Sequence, residues 1–423
     1  MRNRVLLSCV TIIIAIFLSS CDSTRTISYK TKVYTPIYQS IDEFRNGVKT
    51  AAPRELSNPG KIYIFGKYLF ICEKGEGVHI IDDANPSAPT TVSFIEIPGN
   101  GDIAVRDGIL YADSYIDLVA IDINDALNPH LVKRVKDIFP NPLDLEGAYV
   151  DPEKGILIRW DVKDTTITYE VDGWGDYVTS PTDGRWQSGE LYDGGSKDIG
   201  YNGGSSGKGG SMARFTTYNK YLYVVDRSNL QSIDISIPEN PRPWNKVNIG
   251  WNIETIFPFG DKLFIGSQTG MFIYDASTPW NPTYLAQFSH ARGCDPVVAE
   301  GKYAYVTLRT GTRCFGDLNQ LDILDITELT NPKLIKSYPM QEPGGVGIDG
   351  TTLFLCDGKA GLKVFDVKDP LKIELLNWLS DLQTYDIIPL GKIAILIGSD
   401  GLFQYDYSDP KNLILLSKIN VKK

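Results

Sequence analysis

Histidine is scarce in this sequence, with three residues in 423, alongside four methionines and six cysteines. So few imidazoles and thiols leave little from which to build a metal centre. His79 lies in an apolar stretch, His130 follows Pro129 in a turn, and His290 precedes Ala291-Arg292-Gly293; none has a ligand-type neighbour at metal-binding spacing. The aspartates form no D-x-D-x-D-G ladder of the calcium-loop kind, so no metal and no cofactor is expected. Beyond residue 20 no run is apolar enough to span a bilayer, which needs ~20 residues. Positive charge is also short: 42 Lys and Arg stand against 52 Asp and Glu, a net charge of -10, which repels nucleic acid phosphates. Helical periodicity is missing as well. In its place are period-two patterning, 23 tyrosines, 39 glycines and 24 prolines, the composition of short strands joined by turns.

The first twenty residues are of a different kind. Arg2 and Arg4 precede an apolar run from Val10 to Leu18, followed by Leu18-Ser19-Ser20-Cys21. That tetrapeptide resembles a lipobox, the bacterial lipoprotein signal in which the cysteine is acylated and becomes the new N-terminus. The run is too short for a transmembrane helix and ends in polar Asp22-Ser23-Thr24-Arg25; the alternative is an ordinary cleaved secretory signal. Residues 1–20 are therefore expected to be removed, Cys21 to carry lipid, and residues 21–57 to act as a spacer. Within that spacer, Ser40-Ile41-Asp42-Glu43 reads as a capping box opening a short helical turn. Removal of residues 1–20 takes away two positive charges and no negative ones, which moves the net charge from -10 to -12.

Seven segments share an apolar strand closed by aspartate, at Asp82, Asp122, Asp234, Asp275, Asp325, Asp366 and Asp406, spaced 40, 112, 41, 50, 41 and 40 residues apart. A period near 40 marks a repeat architecture. Each aspartate leads into a turn such as Asp275-Ala-Ser-Thr-Pro-Trp-Asn-Pro282, where side-chain acceptors close the turn and proline fixes φ. A turn and an aromatic-rich strand precede each aspartate, as in Asp107-Gly108-Ile-Leu-Tyr-Ala112. Each unit thus reads as four short strands, and radial repetition of such sheets buries faces that one sheet cannot. The fold class is all-β, a β-propeller over residues 58–423 with seven four-stranded blades; six or eight stay open.

The strands Leu118-Val-Ala-Ile-Asp122, Val78-His-Ile-Ile-Asp82, Leu321-Asp-Ile-Leu-Asp325 and Leu362-Lys-Val-Phe-Asp366 resemble those of the LVIVD-repeat family. The resemblance runs from about residue 58 to 421 and implies an exported or surface-associated propeller, often a bacterial lipoprotein, without implying a reaction. The last two copies depart from the turn pattern at Asp369-Pro370 and Asp409-Pro410, which puts their outermost strands in doubt.

The 112-residue gap between Asp122 and Asp234 holds an inserted hairpin and a Gly-rich loop at 141–210. Gly155-Ile-Leu-Ile-Arg-Trp-Asp-Val-Lys-Asp164 looks like a degenerate eighth copy, whereas 194–210 reads as a flexible loop in which substitution between 200 and 208 is tolerated. Gly203-Gly-Ser-Ser-Gly207 matches the nucleophile-elbow pattern but lies in that low-complexity stretch, and Gly207-Lys208 lacks the residues of a phosphate loop. Cys294 and Cys314 fall in one repeat, so a disulfide between them would pin the long hairpin there. Cys72 and Cys356, each ten residues before a closing aspartate, read as small core residues.

Aligned on the aromatic strand, Lys61, Asp102, Arg214, Glu254, Asp295 and Asp386 fall within a residue of one position, at the start of each inner strand. That position rings one mouth of a propeller channel. The plainer reading is that these groups pair among themselves. Trp251 and Tyr385, adjacent to two of them, could stack on a sugar or peptide. Two functions are compatible with this pattern. One is a non-enzymatic scaffold, lipid-anchored at the outer membrane on its periplasmic face or at the cell surface, that holds a protein, peptide or glycan. The other is a hydrolase or lyase acting on extracellular polysaccharide through the mouth carboxylates.

Overall fold

The computed structural model describes residues 25–143, 149–171, 207–290, 293, 296–310 and 318–422. Two compact units emerge, one made of residues 39–157 and 193–423 and the other of residues 1–38 and 158–192. The larger is a propeller. Seven antiparallel sheets hold four consecutive strands each, spanning residues 59–96, 103–135, 215–248, 253–289, 297–339, 346–379 and 384–420. The first strand of most blades packs against the first strand of the next, so these strands line the axis.

Sequence dictates the blade through its turns. All seven closing aspartates use Oδ1 to accept the backbone N–H two residues on, at 2.7–3.0 Å. The residue after each aspartate donates its N–H to a carbonyl in the turn between the first two strands, at 2.8–2.9 Å. Each aspartate thereby ties two turns at the same end of its blade. In every blade the register slips by one residue between the third and fourth strands, a bulge that adds local twist. The sixth and seventh blades do have outer strands, Glu374–Leu379 and Ile414–Asn420, so the shorter turns at Asp369 and Asp409 serve as well.

The core sits between blades. Leu118 and Ile121 are fully buried in a cluster shared by the first three blades, and five further clusters fill the remaining gaps. Tyrosines add clasps: Tyr111 Oη donates to Pro238 O of the next blade at 2.9 Å, and Tyr223 Oη to Pro279 O at 2.7 Å. Among the described residues, no blade takes a strand from the other end of the chain to close the ring. The seventh blade meets the first through Ile395, Ile397 and Leu402 against Leu56, Ile62 and Ile71, with Lys422 N donating to Leu56 O at 2.7 Å.

Two short additions widen the first blade to six strands: Lys49–Ala51 on its outer edge and Lys208–Gly209 on its inner edge. Ahead of Lys49, a helix at Ile41–Arg45 begins at Ser40, whose Oγ accepts from Glu43 N at 3.2 Å, and Arg45 reaches the buried Asp117 at 2.8 Å.

In the smaller unit, residues 25–38 and 158–171 belong to two long strands, Arg25–Gln39 and Gly155–Val171, that lie side by side. The stretch at 155–164 is thus not an eighth blade. Cys21, Cys294, Asp295, Cys314 and Ser205 lie outside the described residues, and so does the pairing expected of Cys294 and Cys314. Cys72 and Cys356 are fully buried, in the first and sixth blades. Among the described residues, no helix is long and apolar enough to cross a membrane.

Candidate functional site: the channel and its mouth

Each inner strand begins where the chain crosses from one blade to the next, and a buried acid fixes that crossing in three blades. Glu73 accepts from Ser57 N, Ser57 Oγ, Asn58 N and His79 Nε2. Asp113 accepts from Gly101 N and Asp102 N, and Asp357 from Gln341 N and Glu342 N. Burial alone would raise the Glu73 carboxyl, but the bonds from His79, Ser57 and Asn58 outweigh it and hold the group at about 2. These acids aim the first residues of the inner strands at the axis.

There the structure brings four of the aligned residues into one chain of contacts. Lys61 Nζ stands 2.8 Å from Asp102 Oδ2, the same oxygen takes the backbone N–H of Arg214, and Arg214 Nε donates to Glu254 O at 3.2 Å. The Arg214 guanidinium also donates to Leu143 O, while Glu254 Oε1 accepts from Gln268 Nε2 at 2.9 Å. The polar ring is therefore cross-linked to itself and to nearby backbone.

Asp386 is bound differently, by a segment whose first part, residues 207–210, falls in the stretch expected to be a flexible loop. Residues 207–213 run along the axis. Gly207 N donates to Val105 O at 3.0 Å, Lys208–Gly209 pairs with Tyr63 and Ile64, Lys208 Nζ donates to Pro389 O at 2.9 Å, and Ala213 O accepts from Ile256 N at 2.8 Å. Ser211 Oγ donates to Asp386 Oδ1 at 3.0 Å and accepts from Val346 N at 2.8 Å, and Met212 N donates to Asp386 Oδ2 at 3.3 Å. This segment touches inner strands of five blades. Glycine is required here: a Cβ at Gly210 would lie 2.0 Å from Asp386 Oδ2, and one at Gly345 2.2 Å from Asp386 Oδ1.

Two consequences for charge follow. Burial pushes the Asp386 carboxyl up to about 6, against the hydrogen bonds from Ile387, Met212 and Ser211 that favour its ionised form. Lys208 keeps contact with water inside the channel, yet protein surrounds it closely enough that desolvation lowers its pKa, with Asp349 and Glu300 opposing.

Two spaces flank the segment. At the mouth, a cavity of about 240 Å³ is lined by Pro59, Gly60, Lys61, Lys74, Met212, Tyr385 and Asp386. Lys74 crosses Gly60 and its ammonium stands 6.0 Å from the Tyr385 ring centroid. Tyr385 is 38% exposed and Trp251 61%. Further along the axis, about 370 Å³ opens among Lys208, Phe215, Thr216, Thr217, Tyr218 and Phe257. Lys61, Asp102, Arg214, Glu254 and Asp386 share a repeat position because equivalent strand starts recur. Ser211, Met212 and Lys208 carry no repeat signal; the only hint was the density of glycine around them. Among the described residues, no group of three His, Cys, Asp or Glu side chains could hold a metal ion.

Seven four-stranded sheets arranged in this way define a β-propeller. The LVIVD repeat family matches at residues 59–95, 209–247 and 291–339, so the propeller carries LVIVD repeats. No curated protein matches the sequence. Among solved structures, a protein from Lactobacillus plantarum is 14% identical with a TM-score of 0.55, over 86% of this chain and 97% of that one. The periplasmic gluconolactonase of Pseudomonas aeruginosa is 10% identical with a TM-score of 0.53, over 85% and 96%. Sqt1 of Saccharomyces cerevisiae is 6% identical with a TM-score of 0.52, over 88% of each chain. Likeness at these identities extends to the fold.

Proposed function

We propose that this protein is a lipid-anchored binding scaffold of the bacterial envelope. Residues 1–20 are the signal, Cys21 carries the lipid, residues 21–57 lead to the propeller, and the insertion at 141–210 modifies one repeat. Its partner is a protein, peptide or glycan, held at the channel mouth.

One observation carries the reading. Asp102, Glu254 and Asp386, carboxylates at the start of inner strands, are engaged in bonds that hold the scaffold together, and residues 207–213 occupy part of the axis. What faces outward at the mouth is a shallow pocket with a half-open tyrosine and the Lys74 ammonium, groups suited to recognition. The anchor rests on the Leu18-Ser19-Ser20-Cys21 sequence.

A thermal-shift screen against glycans, peptides and nucleotides tests the pocket. A ligand should raise the melting temperature of the parent, with the logarithm of its excess over Kd, and should lose that effect in Tyr385→Ala and Lys74→Ala. Turnover of the same ligand by the parent would overturn the non-enzymatic reading. For the anchor, Cys21→Ser should move the protein out of the membrane fraction's lipid-modified pool, and intact mass should show acyl chains on Cys21 of the parent.

A further inference from the structure

The ribbon of strands Arg25–Gln39 and Gly155–Val171 presents a surface that the scaffold reading does not use. Ser28 Oγ stands 2.9 Å from Thr168 Oγ1 near one end. Within residues 25–38 and 158–171, large apolar side chains face water at high density: Tyr29 47%, Val33 44%, Tyr34 58%, Trp160 47%, Val162 44% and Ile167 39% exposed. Two strands alone bury little and are marginal in water, and a soluble surface rarely concentrates apolar groups in this way. Something covers them.

Charge and chain length indicate what. Residues 25–39 carry Arg25, Lys30 and Lys32 and no acid, in a chain whose net charge is -10. Opposite them, residues 158–171 hold Arg159 and Lys163 against Asp161, Asp164 and Glu170, so the ribbon as a whole is positive. Amphipathic aromatic rings with lysines beside them are the residues that settle at a lipid headgroup layer. Only Asp22, Ser23 and Thr24 separate Cys21 from Arg25, and an extended chain covers at most about 14 Å in that interval.

We propose that the ribbon face carrying Lys30, Lys32, Tyr34, Trp160 and Val162 lies on an anionic phospholipid surface, with Tyr34 and Trp160 seated at headgroup level and Lys30 and Lys32 against lipid phosphates. This rests on the reading that Cys21 is acylated.

The test uses the mature protein purified from membranes and reconstituted into phosphatidylethanolamine–phosphatidylglycerol vesicles with brominated acyl chains. Intact mass establishes the lipid on Cys21 independently. Bromine should quench tryptophan emission in the parent; Trp160→Phe should remove most of that quenching, and Tyr34→Trp in the Trp160→Phe background should restore it. Lys30→Gln with Lys32→Gln should reduce quenching in anionic vesicles at low salt severalfold. Acylated protein in which parent and Trp160→Phe are quenched equally, or not at all, would overturn the inference and leave the anchor standing. Quenching that disappears only when another protein is added, with Trp160 cross-linked to it, would assign the ribbon to a protein partner and equally overturn it. Absence of lipid on Cys21 would remove the anchor and this inference together.

Discussion

Asp386 shows how one side chain couples the axis to pH. Its carboxyl is raised from an ordinary value of 3.8 to about 6 in the folded protein. Below about pH 4 both folded and unfolded states hold the proton. Between about pH 4 and 6 the folded state retains a proton that the unfolded chain releases, so this residue makes stability fall as pH rises through that window. A shift of about two units corresponds to about 3 kcal/mol at most. Denaturant unfolding at pH 4 and pH 7 should therefore show a loss in the parent that Asp386→Asn flattens; equal slopes in both proteins would refute the assignment. Glu73 acts with opposite sign and in a lower range. Its carboxyl is depressed to about 2, so its contribution is present above an ordinary carboxylate pKa and is lost as pH falls towards 2. Glu73→Gln should weaken the protein at neutral pH and make it less sensitive to acid below pH 4, which a urea series at pH 3 and 7 would measure.

At the scale of elements, the blade was legible in the sequence and the axial segment was not. Strands such as Leu118-Val-Ala-Ile-Asp122 combine period-two apolarity with a turn-closing aspartate, two local signals that no tertiary contact has to supply. Leu118→Asp or Ile121→Asp should unfold the propeller, since each puts a charge into a fully buried site, whereas Asp234→Ala removes a turn bond on the surface and should cost about 1 kcal/mol. Circular dichroism melts separate the two outcomes. The axial segment has no hydrophobic period, because its order comes from backbone and side-chain hydrogen bonds to five different blades. Substitution at Lys208 should accordingly not be neutral, in contrast to the sequence-based expectation for 200–208. Lys208→Asp would lose the bond to Pro389 O and set a carboxylate near Glu300 and Asp349, so it should lower the melting temperature. Gly345→Ala should destabilise by about 1–3 kcal/mol, as its Cβ would meet Asp386 Cα at 2.6 Å, while Gly350→Asn, with φ of +58° and nothing within 4 Å, should be tolerated.

For the whole molecule, ring closure is the feature on which cooperativity turns. Many linear repeat arrays behave as chains of nearest-neighbour interfaces that can unfold from an end. Here the ends meet, yet the joint has no shared strand: it depends on apolar packing of Ile395, Ile397 and Leu402 against the first blade, on Lys422 N to Leu56 O, and on Gln404 Nε2 to Asp83 Oδ1 at 2.5 Å. The axial segment supplies a second tie, because Lys208 and Gly209 pair with the first blade while Lys208 Nζ and Ser211 reach Pro389 and Asp386 of the seventh. Ile397→Ala should cost about 2–5 kcal/mol, as for other buried isoleucines. The informative readout is where the loss appears. With an intact axial tie, amide exchange should accelerate through all seven blades together, because neither free end is released. In Ile397→Ala combined with Gly210→Val, which forces the segment off Asp386, exchange should accelerate first in residues 59–96 and 384–420 and only later in 253–289. Uniform acceleration in the double variant would mean that closure rests on blade packing alone and that the axial segment is not a structural tie.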